Sequence, residues 1–299
     1  MHRLSRRQFA LAIAASAGLA PQASDAAVFE QAVVGSQLYG WGQYYDREGK
    51  HIDDHLDEIF SALRDAGYDY AEGNLNPADP EWGGKFAEKS KKKGLKPVSL
   101  YTGGSFHILG KALETSERIA AAGKVCAKAG FKVIVCNPDP LGRDKTEQEL
   151  AIQVAALKDL AAELKKVGLR LALHHHTPEL RNQGHEFHYN FRNSEPDALS
   201  FCIDTHWMYR GGIAPLDALR QYGDRVVSWH LRQSRDKVWW EDLDTGDIDY
   251  AEIAKYAQHQ GLPKRFTVEL ALESGTRITR TVVENHARSR SFVRAQFGV

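Results

Sequence analysis

The sequence predicts an α/β protein, one (β/α)8 TIM barrel forming a single domain behind an N-terminal signal. Three observations carry this expectation. Eight short apolar or β-branched runs recur between residues 33 and 271, as expected of strands buried on both faces. Helical periodicity fills most of the gaps between them. Six glycines stand just past helical stretches, where a left-handed residue ends a helix. The 299 residues, less a signal, suit a barrel of roughly 250 residues.

The first strand is expected over 33–39. A helix over 53–66 follows, with Leu56, Ile59, Phe60 and Leu63 on one face. Strand two is expected over 68–73 and a helix over 81–93 leads to strand three, 96–101. A helix over 113–129 leads to strand four, 132–137, and one over 147–167 to strand five, 170–176. Strand six is expected over 200–206. A helix over 215–222 leads to strand seven, 226–232, and one over 250–260 to strand eight, 266–271. A helix over 278–296 closes the chain. Gly67, Gly94, Gly130, Gly168, Gly223 and Gly261 are the expected helix ends. Two long loops, about 177–196 and 233–249, fall where such barrels build their sites, and are lid candidates. An open doubly wound sheet is the alternative, but Gly40-Trp41-Gly42 after the first strand is far from a dinucleotide fingerprint.

The N-terminus reads as an export signal over residues 1–26, leaving a barrel over 27–299. Ser5-Arg6-Arg7-Gln8-Phe9 resembles the twin-arginine motif, and small apolar residues follow over 10–20. That run is too short to span a bilayer, and no later stretch is long and apolar enough. Ser24-Asp25-Ala26 offers small residues for cleavage. The expected location is therefore exported, in the periplasm for a twin-arginine cargo, which crosses already folded. The 39 basic and 39 acidic residues balance, and no basic stripe points to nucleic acid. Cys126, Cys136 and Cys202 are too few and too far apart for a disulfide framework.

Four polar residues each close an apolar run: His174, Asp204, His230 and Glu269, which are 30, 26 and 39 residues apart. Each alone could be structural, as a hydrogen-bonded histidine or a loop cap. Two imidazoles and two carboxylates at the same ends of parallel strands could instead meet at one divalent metal. Glu72 closes strand two in the same way. On a strand, His174 and His176 share a side that His175 does not. Trp41, Tyr101, Trp207, Trp239 and Trp240 could stack on a sugar ring, or simply pack under loops. Asn74, Asn137, Arg232 and Gln43 could hydrogen-bond sugar hydroxyls.

In order and spacing, these segments resemble the sugar phosphate isomerase/epimerase family of xylose isomerase-like barrels. The resemblance rests on Gly67-Tyr-Asp-Tyr-Ala-Glu72, Gly168-Leu-Arg-Leu-Ala-Leu-His-His-His176 and Asp204-Thr-His-Trp207 with Gly211-Gly212. It also rests on Arg225-Val-Val-Ser-Trp-His230-Leu-Arg232, Gly246-Asp-Ile-Asp-Tyr250 and Thr267-Val-Glu269. The resemblance implies one divalent metal, manganese first and zinc, cobalt, iron or magnesium otherwise, held by His174, Asp204, His230 and Glu269. It implies a metal-stabilised enediolate, with Glu72, His176 or Glu269 as the base. Trp41, Asn74, Tyr101, Asn137, Trp207 and Arg232 are the candidate sugar-binding residues. The chain departs from the better-known epimerases at His174, where those carry a glutamate. The loss disfavours a symmetric two-carboxylate proton shuttle.

The expectation is a metal-dependent isomerase or epimerase of a sugar or keto-sugar. The alternative is a lyase or hydratase acting by β-elimination on 3-keto-glycosides or inosose-like substrates. From other classes come an exported sugar-binding protein on a degraded barrel and a phosphodiester-cleaving enzyme. All four ligand positions remain polar, which opposes the first, and neutral charge opposes the second.

Overall fold

The computed structural model describes Ala32–Val299, so the signal expected over 1–26 lies outside the described residues. Eight parallel strands close into a barrel: β1 (Val33–Gln37), β2 (Tyr70–Asn74), β3 (Ser99–Gly104), β4 (Val133–Pro138), β5 (Arg170–Leu173), β6 (Ser200–Asp204), β7 (Val226–Leu231) and β8 (Arg265–Val268). Closure comes from β1 against β8, with Gly35 opposite Thr267. Helices alternate with the strands and cover the outside. Those over Leu56–Asp65, Trp82–Lys92, Leu109–Ala129, Glu147–Lys166, Pro215–Tyr222, Tyr250–His259 and Val282–Phe297 lie close to the expected positions. Leu56, Ile59, Phe60 and Leu63 are all buried, as their shared face requires.

Several strands are shorter than expected, because polar residues at their ends turn the chain into helices. β1 stops at Gln37, whose side chain accepts from the Tyr39 amide and opens a helix over Leu38–Arg47. β6 stops at Asp204, whose Oδ1 accepts from the Trp207 amide at 2.7 Å and caps a helix over Thr205–Arg210. The expected lid loop over 177–196 is instead a turn, Thr177–Leu180, and a helix, Arg181–Arg192. Phe187 and Phe191, four residues apart, seat that helix on the barrel. The loop over 233–249 contains an antiparallel hairpin in which Ser234 pairs with Trp239. Its tip residues Asp236 and Lys237 both have positive φ, the backbone a tight two-residue hairpin needs, but without the usual Asn-Gly signal.

Five of the six expected glycine caps have positive φ: Gly67, Gly94, Gly130, Gly168 and Gly261. Gly223 does not, because the chain continues into a turn over Gly223–Arg225.

Inside the barrel, Tyr70 fills the space that Gly35 leaves open; a Cβ at position 35 would lie 2.2 Å from the Tyr70 ring. The Tyr70 hydroxyl donates to Phe266 O at 3.0 Å and contacts Thr267 Oγ1 at 2.7 Å. All three cysteines are buried and free. No helix among the described residues is long and apolar enough to cross a membrane.

Candidate metal centre and active site

The C-terminal ends of β5 to β8 place His174, Asp204, His230 and Glu269 together, and one donor atom from each lies within 4.8 Å of the others. The fold dictates this meeting. Asp204 is in register with His230 across β6 and β7, and the Glu269 amide donates to Leu231 O at 3.0 Å. All four side chains are buried.

His174 presents its ring through Asn137, whose Oδ1 lies 3.3 Å from Nδ1. If Nδ1 carries the proton, Nε2 is left as an open donor. That Nε2 lies 3.4 Å from Asp204 Oδ2, and neither atom has a hydrogen-bond partner. Two unpartnered buried polar atoms facing each other are costly on their own. Their separation is close to that of neighbouring ligands bound to one ion at ~2.1 Å. The set of two imidazoles and two carboxylates suits manganese, zinc, cobalt or iron(II), so the residues present fit the implied metal.

Charge around the cluster is uneven. Burial pushes the His174 imidazole well below its ordinary value, with His230 and His176 adding to the effect. Burial pushes the Asp204 carboxyl up, against the pull of Arg232. Glu269 goes the other way: burial opposes its charge, but Arg232 and His230 outweigh that and hold it down. Glu269 Oε1 meets Arg232 Nη2, and Oε2 lies 2.9 Å from His230 Nδ1. Both oxygens are engaged, so in this arrangement Glu269 is not a free base.

Above the cluster opens a cavity of about 640 Å³. His176 lines it, on the same side as His174, while His175 points away into Phe187, Phe191 and Phe201. His176 is held by a 2.7 Å hydrogen bond from its amide to Glu179 Oε2. Burial lowers its imidazole from the usual value, which keeps it neutral and able to accept a proton. Asn74, Tyr101, Trp207 and Arg232 also line the cavity. The Arg232 guanidinium packs 4.3 Å over Trp239 and 5.3 Å over Trp207.

Three expected roles need correction. Trp41 is 1% exposed, donates from Nε1 to Ser36 Oγ at 3.1 Å and stacks on His286, so it is core and cannot reach a sugar. Asn137 is buried behind His174 and donates to Pro138 O, so it orients the His174 ring and does not line the cavity. Glu72 is fully buried beneath the cluster; Ser99 Oγ donates to it at 2.5 Å, and its Oε1 lies 2.8 Å from His230 Nε2. The two atoms are in close contact without forming a hydrogen bond. Glu72 therefore does not meet substrate. Gln43 also turns away, bonding the backbone of Leu272, and Trp240 lies under Arg235.

The cavity also uses residues the sequence reading passed over: Gln37, Tyr39, Leu75, Pro77, Thr102 and Gly103. They are neutral residues on or just beyond the first three strands, with no chemical signature of their own.

Comparison with known proteins agrees with this architecture. An inosose dehydratase from Geobacillus kaustophilus is 23% identical over 220 residues, covering 69% of this chain and 68% of that protein. A sugar phosphate isomerase/epimerase from Parabacteroides distasonis superposes with a TM-score of 0.71 at 19% identity, covering 92% of this chain and 96% of that one. An L-ribulose 3-epimerase also superposes with a TM-score of 0.71 at 19% identity, covering 90% and 95%. The family described as xylose isomerase-like TIM barrel matches residues 60–293, and the chain belongs to it.

Proposed function

We propose that this chain is a divalent-metal-dependent enzyme that removes the proton next to the ketone of a sugar. The observation that carries the reading is the four-donor cluster on the cavity floor with one imidazole, His176, on the wall above it. A divalent ion held by His174, Asp204, His230 and Glu269 would polarise the ketone and favour the charge that develops on its oxygen. The chain's own residues do the rest. His176 accepts the proton from carbon. Arg232, fixed by Glu269 and two tryptophans, positions the sugar's oxygens.

A single base fits β-elimination or hydration best. His176 takes the C–H proton, a carbon–carbon double bond forms, and the β oxygen departs with its bonding electrons and takes that proton from the His176 imidazolium. Similarity to a dehydratase supports this outcome. Epimerisation is the second reading, supported by the epimerase likeness. It requires a second proton donor on the opposite face, and Glu269 would have to leave Arg232 to supply it. Export by the twin-arginine route, resting on residues 5–20, belongs to the same proposal and is testable by cell fractionation.

The test is incubation with keto-sugars in heavy water. Metal-loaded protein should place deuterium next to the ketone or release an unsaturated product, and a chelator should abolish both. No exchange and no bound metal would end the enzyme reading in favour of an exported sugar-binding protein.

A further inference from the structure

The chain's 39 basic and 39 acidic residues balance overall, yet the end of the barrel opposite the cavity is not neutral. Three consecutive connections there lead from a helix end to the start of β3, β4 and β5: residues 91–96, 128–132 and 165–170. Nine of their seventeen residues are Lys or Arg, and none is Asp or Glu. The fold sets them side by side. The Lys132 amide donates to Val98 O at 2.9 Å, the Arg170 amide donates to Lys132 O at 3.0 Å, and Lys91 Nζ donates to Ala129 O at 2.7 Å. A helix end favours a basic residue through its dipole. Before β2 and β6, however, acids stand beside it: Arg64 with Asp65 and Asp69, and Arg192 with Glu195 and Asp197. The excess is therefore confined to one side of this end. Five of the nine reach carboxylates of neighbouring segments at 2.5–3.8 Å, surface pairs that hold weakly. With those acids counted, the patch keeps a net excess of four positive charges. Lys128 and Lys132 are exposed and have no ion-pair partner among the described residues.

We infer that this end of the barrel docks on an anionic phospholipid surface and leaves the cavity open to solvent at the opposite end. The inference does not depend on the proposed function. Eight of the nine basic residues are lysines. A lysine is a compact, strongly hydrated point charge, suited to a diffuse layer of phosphate headgroups, whereas bidentate capture of one phosphate favours arginine. Clustered lysines are drawn to an anionic leaflet over about one Debye length. Nucleic acid is the poorer match. Single strands are held by exposed aromatic rings, and duplex bases are read by an element that enters a groove. The one aromatic residue of the three connections, Phe131, is 1% exposed, and a row of helix ends beside strand starts offers nothing to insert.

The test is sedimentation of the purified full chain with vesicles of phosphatidylcholine, with and without phosphatidylglycerol. Three proteins are compared: wild type, Lys128→Glu/Lys132→Glu, and Lys111→Glu/Lys255→Glu. The last makes the same change of net charge at exposed lysines outside the patch. Residues 1–31 are identical in all three, so differences between them report the barrel's own surface. Wild type should bind the phosphatidylglycerol vesicles at least tenfold more tightly than phosphatidylcholine alone. That preference should vanish between 0.1 M and 1 M salt, as the Debye length falls from about 10 Å to about 3 Å. Lys128→Glu/Lys132→Glu should weaken binding fivefold or more, and Lys111→Glu/Lys255→Glu less than twofold. Equal binding to both kinds of vesicle, binding to neither, equal losses in the two variants, or displacement from the vesicles by duplex DNA at matched phosphate and salt would overturn the inference. The lipid and salt comparisons use wild type alone, so they decide the matter even where charge reversal disturbs folding.

Discussion

His174 Nε2 and Asp204 Oδ2 face each other at 3.4 Å on the ends of adjacent strands, and neither has a hydrogen-bond partner. A folded chain rarely leaves two such atoms buried and unsatisfied without a use for them. Asn137 on one side and the Trp207 amide on the other engage the remaining donor and acceptor atoms of these two side chains. What is left open converges on a single point with His230 and Glu269.

Metal content tests that convergence directly. Wild-type protein should hold about one equivalent of manganese, zinc, cobalt or iron, the single ion that four converging ligands supply. Asp204→Ala and His230→Ala should each lose it, with the far-ultraviolet dichroism of the wild type retained. Metal retained in both variants would remove the centre.

Separating the base from the ligands is the next measurement. His176→Asn should keep the metal yet lower deuterium exchange by roughly 10²–10⁴-fold, the usual worth of a positioned acid or base. A variant that loses metal would instead place His176 among the ligands.

Glu72 acts from beneath. Through its contact with His230, Glu72→Gln should weaken metal binding by about 10–100-fold, as outer partners of metal ligands do. Competition with a chromophoric chelator measures this. Unchanged metal affinity would leave Glu72 a purely structural carboxylate.

The correction at Trp41 carries its own outcome. Trp41→Ala should cost about 3–5 kcal/mol of folding stability, as for other buried tryptophans, read by urea denaturation. Sugar affinity of the folded protein should not change.

His286, stacked on that tryptophan, should make the fold acid-sensitive. Burial pushes its imidazole down to about 4, whereas an unfolded histidine titrates near 6.5. The unfolded chain therefore takes up the proton first. Stability from this group is complete above about pH 6.5 and is lost as pH falls toward 4, by about 3 kcal/mol. In His286→Gln the pH slope of the denaturation free energy should flatten over that window. An unchanged slope would assign the acid sensitivity elsewhere.

Much of the barrel is legible in the sequence because local chemistry marks it. Buried strands are apolar throughout, helices carry one apolar face, and five of six glycine caps adopt the left-handed backbone they were expected to. The four donors are legible for a related reason: a polar residue ending an apolar run is conspicuous, and the strand-to-strand spacing repeats. The His-His-His run also reads correctly as two residues facing one way and one the other, because backbone alternation is local.

What the sequence left open depends on contacts between distant segments. Nothing local distinguishes Trp41, which the Ser36 hydroxyl and the His286 ring hold in the core, from Trp207, which reaches the cavity. Glu72 and Glu269 both end apolar runs, yet one lies under the cluster and the other in it, according to where β2 and β8 stand around the barrel. The neutral half of the cavity has no sequence signature, since amides and apolar side chains become a binding surface only when strand closure gathers them. By itself, the sequence determined the barrel and the chemistry of the donors, because period and residue type are properties of a short stretch of chain. Only the tertiary structure decided which polar atoms remain unpartnered and what space lies above them, because both follow from packing between residues far apart in the chain.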